Sequence, residues 1–253
     1  MDVDWGPLRR MLGTLRGENH RLAIWWRDDD AVAPSAPLDH LCALSNQLNI
    51  PVHIAVIPAS ATPDLAAFTH DHANLIPLVH GWRHQNNAPL ELKKSEFGTL
   101  RPDGCDELRQ GQTRMRALFG RSYLPVFVPP WNRLDHSFLP ALTDAGYLGV
   151  STFTPRDRRD AAPGLLQINT HVDPISWRGD RGLKDADALI AQTVDLLRAR
   201  LNGTQDPTEP LGYLTHHLVH TPQVWDFSER YLTELLEGGA EAQPIAPLLE
   251  TPR

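Results

Sequence analysis

Two cysteines in 253 residues, Cys42 and Cys105, are too few for a disulfide framework. Both fall in stretches of helical pattern, where a small buried side chain is the plainer role. A long apolar run is also missing. Nothing approaches the roughly 20 residues of a membrane span. The first 13 residues place Asp2 and Asp4 before Arg9-Arg10, with no apolar core of the length an export signal needs. A cytoplasmic location and no membrane partner are therefore expected. Basic residues are not in excess: 24 Lys and Arg stand against 31 Asp and Glu, a formal charge of −7. That balance removes the electrostatic footprint of a nucleic-acid binder. What remains is an ordinary globular composition, 41% hydrophobic and 22% charged, at a length that fits one α/β domain over residues 1–253. The Pro-, Ala- and Glu-rich tail from about residue 238 is expected to be poorly ordered.

Apolar runs and helical stripes alternate along the chain. Seven runs read as strands, at 21–26, 51–57, 73–79, 124–128, 147–152, 165–168 and 211–214. Helical spacing of apolar residues fills most of the gaps, over 38–48, 63–70, 105–119, 137–145 and 190–201, with a first helix at 7–15 and a last at about 225–236. Such alternation predicts a parallel sheet, closed or nearly closed, with helices outside. Chemistry in such folds sits on the loops at the C-terminal ends of the strands. Five polar clusters occupy those places: Arg27-Asp-Asp-Asp30, His80-Gly-Trp-Arg-His84, Pro129-Pro-Trp-Asn-Arg133, His171-Val-Asp173 and Leu214-Thr-His-His217.

Each cluster suggests a use. A helical turn beginning at His80 would put His80 and His84 on one face, able to reach one ion. Three adjacent aspartates repel unless a cation or an arginine is close, so a positive group belongs beside Asp28-Asp29-Asp30. The polar segment 85–103 is longer than a usual connection and reads as an insertion beside the histidine pair. Trp25 and Trp26, inside an apolar strand, read as barrel wall and core, and His53, His70 and His72 as structural or exposed. His136 and His220 lie near the clusters and are at most supports for them.

The order of these clusters, spanning about residues 21–220, resembles that of the NodB-like polysaccharide deacetylases of carbohydrate esterase family four: an acid pair, His-x-x-x-His, Pro-Pro-aromatic, Asp-Pro-x-x-Trp and Leu-x-His. The resemblance implies a distorted barrel of seven or eight βα units. It also implies a divalent metal, above all Zn2+, and hydrolysis of N- or O-acetyl groups on a carbohydrate or small acetylated substrate. His80 and His84 become metal ligands. The acid pair of catalytic base then ligand falls either on Asp29 and Asp30, preferred because the small Ala31 follows, or on Asp28 and Asp29. His216 becomes the general acid, with His217 as a rival, and Trp131, Trp177 and Leu214 line the acetyl pocket. Two departures stand out. Val128 occupies the place of the family's arginine, whose task passes to Arg27 or Arg133. Ser176 occupies the place of the aspartate that orients the acid, whose task passes to Asp173 or His171. These departures leave a non-catalytic sugar-binding barrel open, and the resemblance itself leaves open hydrolysis of a non-sugar C–N bond, as in some relatives of this barrel.

Overall fold

The computed structural model describes residues 3–250. Nine strands are present among them: β1 (Leu22–Ala31), β2 (Val52–Val56), β3 (Leu75–His80), β4 (Val126–Val128), β5 (Gly149–Val150), β6 (Asp160–Ala162), β7 (Leu165–Gln167), β8 (Leu211–Thr215) and β9 (Ala240–Ala242). Seven form a parallel series in the order β7-β5-β4-β3-β2-β1-β8, with β6 added antiparallel to β7. The series closes through an irregular seam. Beyond β7 the chain reaches β8, where Val172 bridges Tyr213, the His171 amide donates to the Gly212 carbonyl at 2.8 Å and the Leu214 amide to the Val172 carbonyl at 2.8 Å. The result is a distorted barrel.

Eight α-helices accompany the strands among the described residues: α1 (Gly6–Gly17), α2 (Ala36–Leu48), α3 (Pro63–Asp71), α4 (Gly104–Phe119), α5 (Leu139–Asp144), α6 (Ala186–Leu201), α7 (Pro222–Glu237) and α8 (Ala246–Glu250). The starts of α2, α3 and α7 are written locally. Ser35, Thr62 and Thr221 each accept a hydrogen bond from an amide in the first turn, and a proline follows each in that turn. None of the described helices is long and apolar enough to cross a membrane.

Alternation along β1 divides the apolar residues into two layers. Trp26 joins the large core between strands and helices, whereas Trp25 points into the barrel with Ala55, Leu78, Val126, Val128, Leu166 and Ile168. The interior is tight: a Cβ on Gly212 would sit 2.4 Å from the Asn169 carbonyl oxygen and 2.6 Å from Trp25 Nε1. Both indoles are satisfied, Trp25 by the Asn169 carbonyl at 3.0 Å and Trp26 by Thr215 Oγ1 at 2.8 Å.

Three expectations need correction. The described part of the tail, residues 239–250, is ordered structure: β9 pairs with the start of β1, and Ile245 and Leu249 are buried in the interior cluster around Trp25, while residues 251–253 lie outside the described residues. A composition rich in Pro and Glu masked the few apolar side chains that plug the lower end of the barrel. His53 ties this plug to the sheet. Its Nδ1 donates to the Trp26 carbonyl at 3.1 Å and its Nε2 accepts from the Ile245 amide at 3.4 Å, a tautomer fixed because a carbonyl only accepts. Burial lowers its pKa to about 4, so it stays neutral in this role. Next, β1 does not stop at the aspartates but runs through all three to Ala31. Finally, His80 ends a strand, and the residues after it are not helical: Gly81 (φ 57°) and His84 (φ 55°) are left-handed.

The plug is testable. Ile245→Ala should lower unfolding free energy by about 2–5 kcal/mol in urea titration, the usual cost of emptying a filled core site. An unchanged midpoint would place the tail outside the core.

Candidate metal and catalytic site

The site is built from the upper end of β1. Side chains alternate across a strand, so Arg27 and Asp29 share one face and Asp28 takes the other. Asp29 pairs with Ala55 of β2 and Ala31 with Val56, which leaves Asp30 as an extra residue in a bulge with φ 77°. The bulge brings the Asp30 carboxylate to the histidines.

Each aspartate meets a different partner. Asp28 is fully buried; its Oδ2 accepts from Thr215 Oγ1 at 2.7 Å and from the His217 amide at 2.9 Å, and its Oδ1 faces His217 Nδ1. Burial alone would push the Asp28 pKa up, but the His217 imidazole and the hydrogen bonds hold it below the usual carboxylate range. The same pair raises His217 against its own burial. Asp28, a candidate catalytic residue from sequence, thus lies on the wrong face of β1, and His217 is committed to it.

Asp29 meets Arg27. Nη2 donates to Oδ2 at 3.0 Å and Nε lies 2.9 Å from Oδ1, both groups being buried. The rest of the guanidinium is engaged by Ser151 Oγ at 2.7 Å, Asn132 Oδ1 at 2.7 Å and the Ser151 and Thr152 carbonyls at 3.3 Å. The other candidate, Arg133, points away and donates to the Lys94 carbonyl. Position within a loop motif suggested Arg133, but the strand's alternation decides for Arg27. Asn132, which sequence reasoning did not single out, ties this ion pair to the Pro129-Pro130-Trp131 turn. Trp131 (φ 58°) and Asn132 (φ 56°) are both left-handed, an uncommon conformation for such residues.

Asp30 meets the histidine pair. Its Oδ1 lies 3.2 Å from His80 Nε2 and 3.3 Å from His84 Nε2, and the candidate ligand atoms of the three residues lie within 4.8 Å of one another. His80 Nδ1 donates to the Val128 carbonyl at 3.0 Å, which leaves Nε2 as the ring atom that faces Asp30. Asp30 Oδ1 is buried without a hydrogen bond. Burial raises the Asp30 pKa, but the neighbouring imidazoles outweigh it and hold the carboxylate ionised. His84 is shifted down by burial and by His80, so the second imidazole is poised neutral. One anionic oxygen donor and two imidazole donors converging on one point suit a borderline dication.

His216 stands on the other side of Asp29, its Nε2 3.9 Å from Asp29 Oδ2. Its ring meets the Trp177 indole edge to face, with centroids 4.6 Å apart, and its Nδ1 is buried without a hydrogen bond. Neither proposed orienting group reaches it. Asp173 Oδ2 accepts from Trp177 Nε1 at 2.7 Å and Oδ1 from the Ile175 amide at 2.9 Å, so this carboxylate aims the tryptophan. His171 is buried against Glu209 and the Gly212 amide. The Asp-Pro-x-x-Trp spacing closes its own small turn before it can reach β8. Trp131 packs on His84 with centroids 4.4 Å apart, Trp177 is 43% exposed at the rim, and Leu214 is buried in β8.

No protein-family profile and no curated protein matches the sequence. Solved structures do match. A Mycobacterium smegmatis protein assigned to the polysaccharide deacetylases superposes with a TM-score of 0.65 at 15% identity, covering 91% of this chain and 90% of that one. A family 4 carbohydrate esterase from Streptomyces lividans, in complex with acetate, gives 0.56 at 15% identity, over 89% and 94% of the two chains. The fold is that of carbohydrate esterase family 4. Among the similar structures is also a family 4 pseudoenzyme from Bacillus anthracis, with a TM-score of 0.59 at 16% identity over 92% of this chain and 66% of that one. The family 4 fold therefore accommodates both active and inactive sites, and activity has to be argued from side chains.

The Asp28–His217 pair sets a pH dependence. Asp28, depressed when folded, stabilises above its unfolded pKa of about 4, and the contribution is lost as pH falls through the folded value. His217, raised when folded, stabilises fully below its unfolded pKa of about 6.5, and the contribution is lost as pH rises through the folded value. Urea titrations should show wild-type stability falling above about pH 6.5, with a shallower fall in His217→Gln. Identical slopes would remove the pair as a source of stability.

Proposed function

We propose that this protein is a metal-dependent hydrolase that removes acetyl groups from a carbohydrate or amino sugar. The observation that carries the reading is the convergence of Asp30, His80 and His84 beside the separately neutralised Asp29. One carboxylate is aimed at the histidines while its neighbour is paired with the Arg27 guanidinium. Asp30, His80 and His84 would hold the dication, which when bound polarises the acetyl carbonyl and acidifies water. The chain's own groups do the rest. Asp29 takes the proton of the attacking water, and Arg27 holds the carboxylate in place for it. The backbone amide near Trp131 donates to the oxyanion. His216 returns a proton to the departing amine or alkoxide. Trp177, aimed by Asp173, packs on His216 and stands with Trp131 at the rim of the acetyl pocket.

A second reading has one observation behind it. His216 has no carboxylate on its Nδ1, so a barrel that binds sugar without turning it over is the alternative, as is hydrolysis of a non-sugar C–N bond.

Elemental analysis after zinc loading and desalting should give near one equivalent in the wild type and little in His84→Ala. Acetate release from N-acetylated chito-oligosaccharides should depend on zinc. Bound zinc with sugar binding but no turnover on any amide would favour the binding module, and turnover without acetate would favour the C–N hydrolase. Arg27→Met should lower kcat by roughly 100-fold or more, the scale of general base catalysis. Asp29 must be ionised while His216 is protonated, so kcat/KM should be bell-shaped in pH. A flat profile between about pH 5 and 9 would remove the acid–base pair.

A further inference from the structure

We propose that Glu96, from the inserted segment 85–103, is the residue that positions the second histidine of the metal site. Its carboxylate is buried, 2% exposed, and accepts three successive backbone amides of the turn between the histidines: Trp82 at 3.1 Å and His84 at 3.3 Å on Oε2, and Arg83 at 2.7 Å on Oε1. His80 needs no such help, because it is held in the β3 ladder and by the Val128 carbonyl. His84 lies beyond the strand, in a turn with left-handed backbone at both Gly81 and His84. Three amides directed at one buried point are unsatisfied unless acceptor oxygens receive them. The Glu96 carboxyl group supplies them.

The local sequence is shaped around it. A Cβ at residue 81 would lie 2.1 Å from Glu96 Oε2 and 2.6 Å from the Pro130 ring, so the left-handed Gly81 is required for the carboxylate to approach. The clamp is itself anchored. The Glu96 carbonyl accepts from Arg101 Nε at 3.3 Å, and Phe97 is fully buried edge to face against Phe127 and Phe138, with centroids 5.1 and 5.4 Å apart. Rigidity therefore passes from the core through Phe97 and Glu96 to the turn, and from the turn to the His84 imidazole. The exposed part of the insertion, including Leu90 and Leu92, takes no part in this.

The inference rests on the metal-binding reading, and its test separates the two. Zinc affinity is measured by competition with a chromophoric chelator, and site geometry by the visible spectrum of the Co2+-substituted protein. Both are applied to the wild type, to Glu96→Gln, and to Glu91→Gln as an exposed control in the same insertion. Amide exchange of the 81–85 segment is measured on the metal-free wild type. Glu96→Gln should bind zinc about 10- to 100-fold more weakly with an altered Co2+ spectrum, the scale seen when supports of metal ligands are removed, and Glu91→Gln should match the wild type. The Trp82, Arg83 and His84 amides should be protected before any metal is added. Equal affinity and spectrum in Glu96→Gln would overturn the positioning role. If that variant does not fold, fast exchange of the three amides in the wild type overturns it, and slow exchange supports it. A wild type that binds no zinc, with the amides protected, would overturn the metal reading and leave the clamp as a support of the turn alone.

Discussion

Three adjacent carboxylates at the end of one strand repel one another, and the upper rim of this barrel is arranged around separating their charges. Asp28, on the outer face, is neutralised by His217 from the turn after β8. Asp29, on the inner face, is neutralised by Arg27 two residues earlier on the same strand. Asp30, turned by the bulge, faces His80 and His84 and is the one whose countercharge an added ion can supply. The Asp28 pairing ties β1 to the turn after β8, the Asp30 pairing ties it to β3 and the turn that follows, and the guanidinium that pairs with Asp29 within β1 also donates to Asn132 of the Pro129–Arg133 turn.

Much of this was legible in the sequence. The alternation of apolar runs and helical stripes predicts the parallel barrel, and a barrel brings the clustered polar residues to one end. What the sequence did not resolve has physical causes. A run of three identical residues gives no clue to which face each takes, and only the bulge at Asp30 and the register with β2 settle it. The choice between Arg27 and Arg133 turns on the same alternation, since a loop arginine adjacent in motif need not be adjacent in space. Glu96 lies twelve residues from His84, in a segment with no periodicity, and nothing but the fold reveals that its carboxylate returns to the turn. The tail hid its role because Ile245 and Leu249 are too few to make a stripe.

The departures from the family pattern acquire a structural meaning. The arginine beside Asp29 is supplied from within β1, where it is locked by Ser151 and Asn132 and shielded from water. The aspartate before the tryptophan is absent, and Asp173 holds the indole in its place. His216 is thereby bounded by the Trp177 ring and by Asp29.

The bulge in β1 also constrains how such a chain can drift. With faces alternating every residue, slipping the Arg27–Asp30 segment by one position would present Asp28 to the histidines' side and turn Arg27 outward, leaving a cationless acid inside and an unpaired guanidinium among the helices. A slip of two keeps the faces. Insertions and deletions in this stretch are therefore tolerable only in even steps, or when a matching change adds or removes the bulge, so the triple aspartate and the bulge must change together.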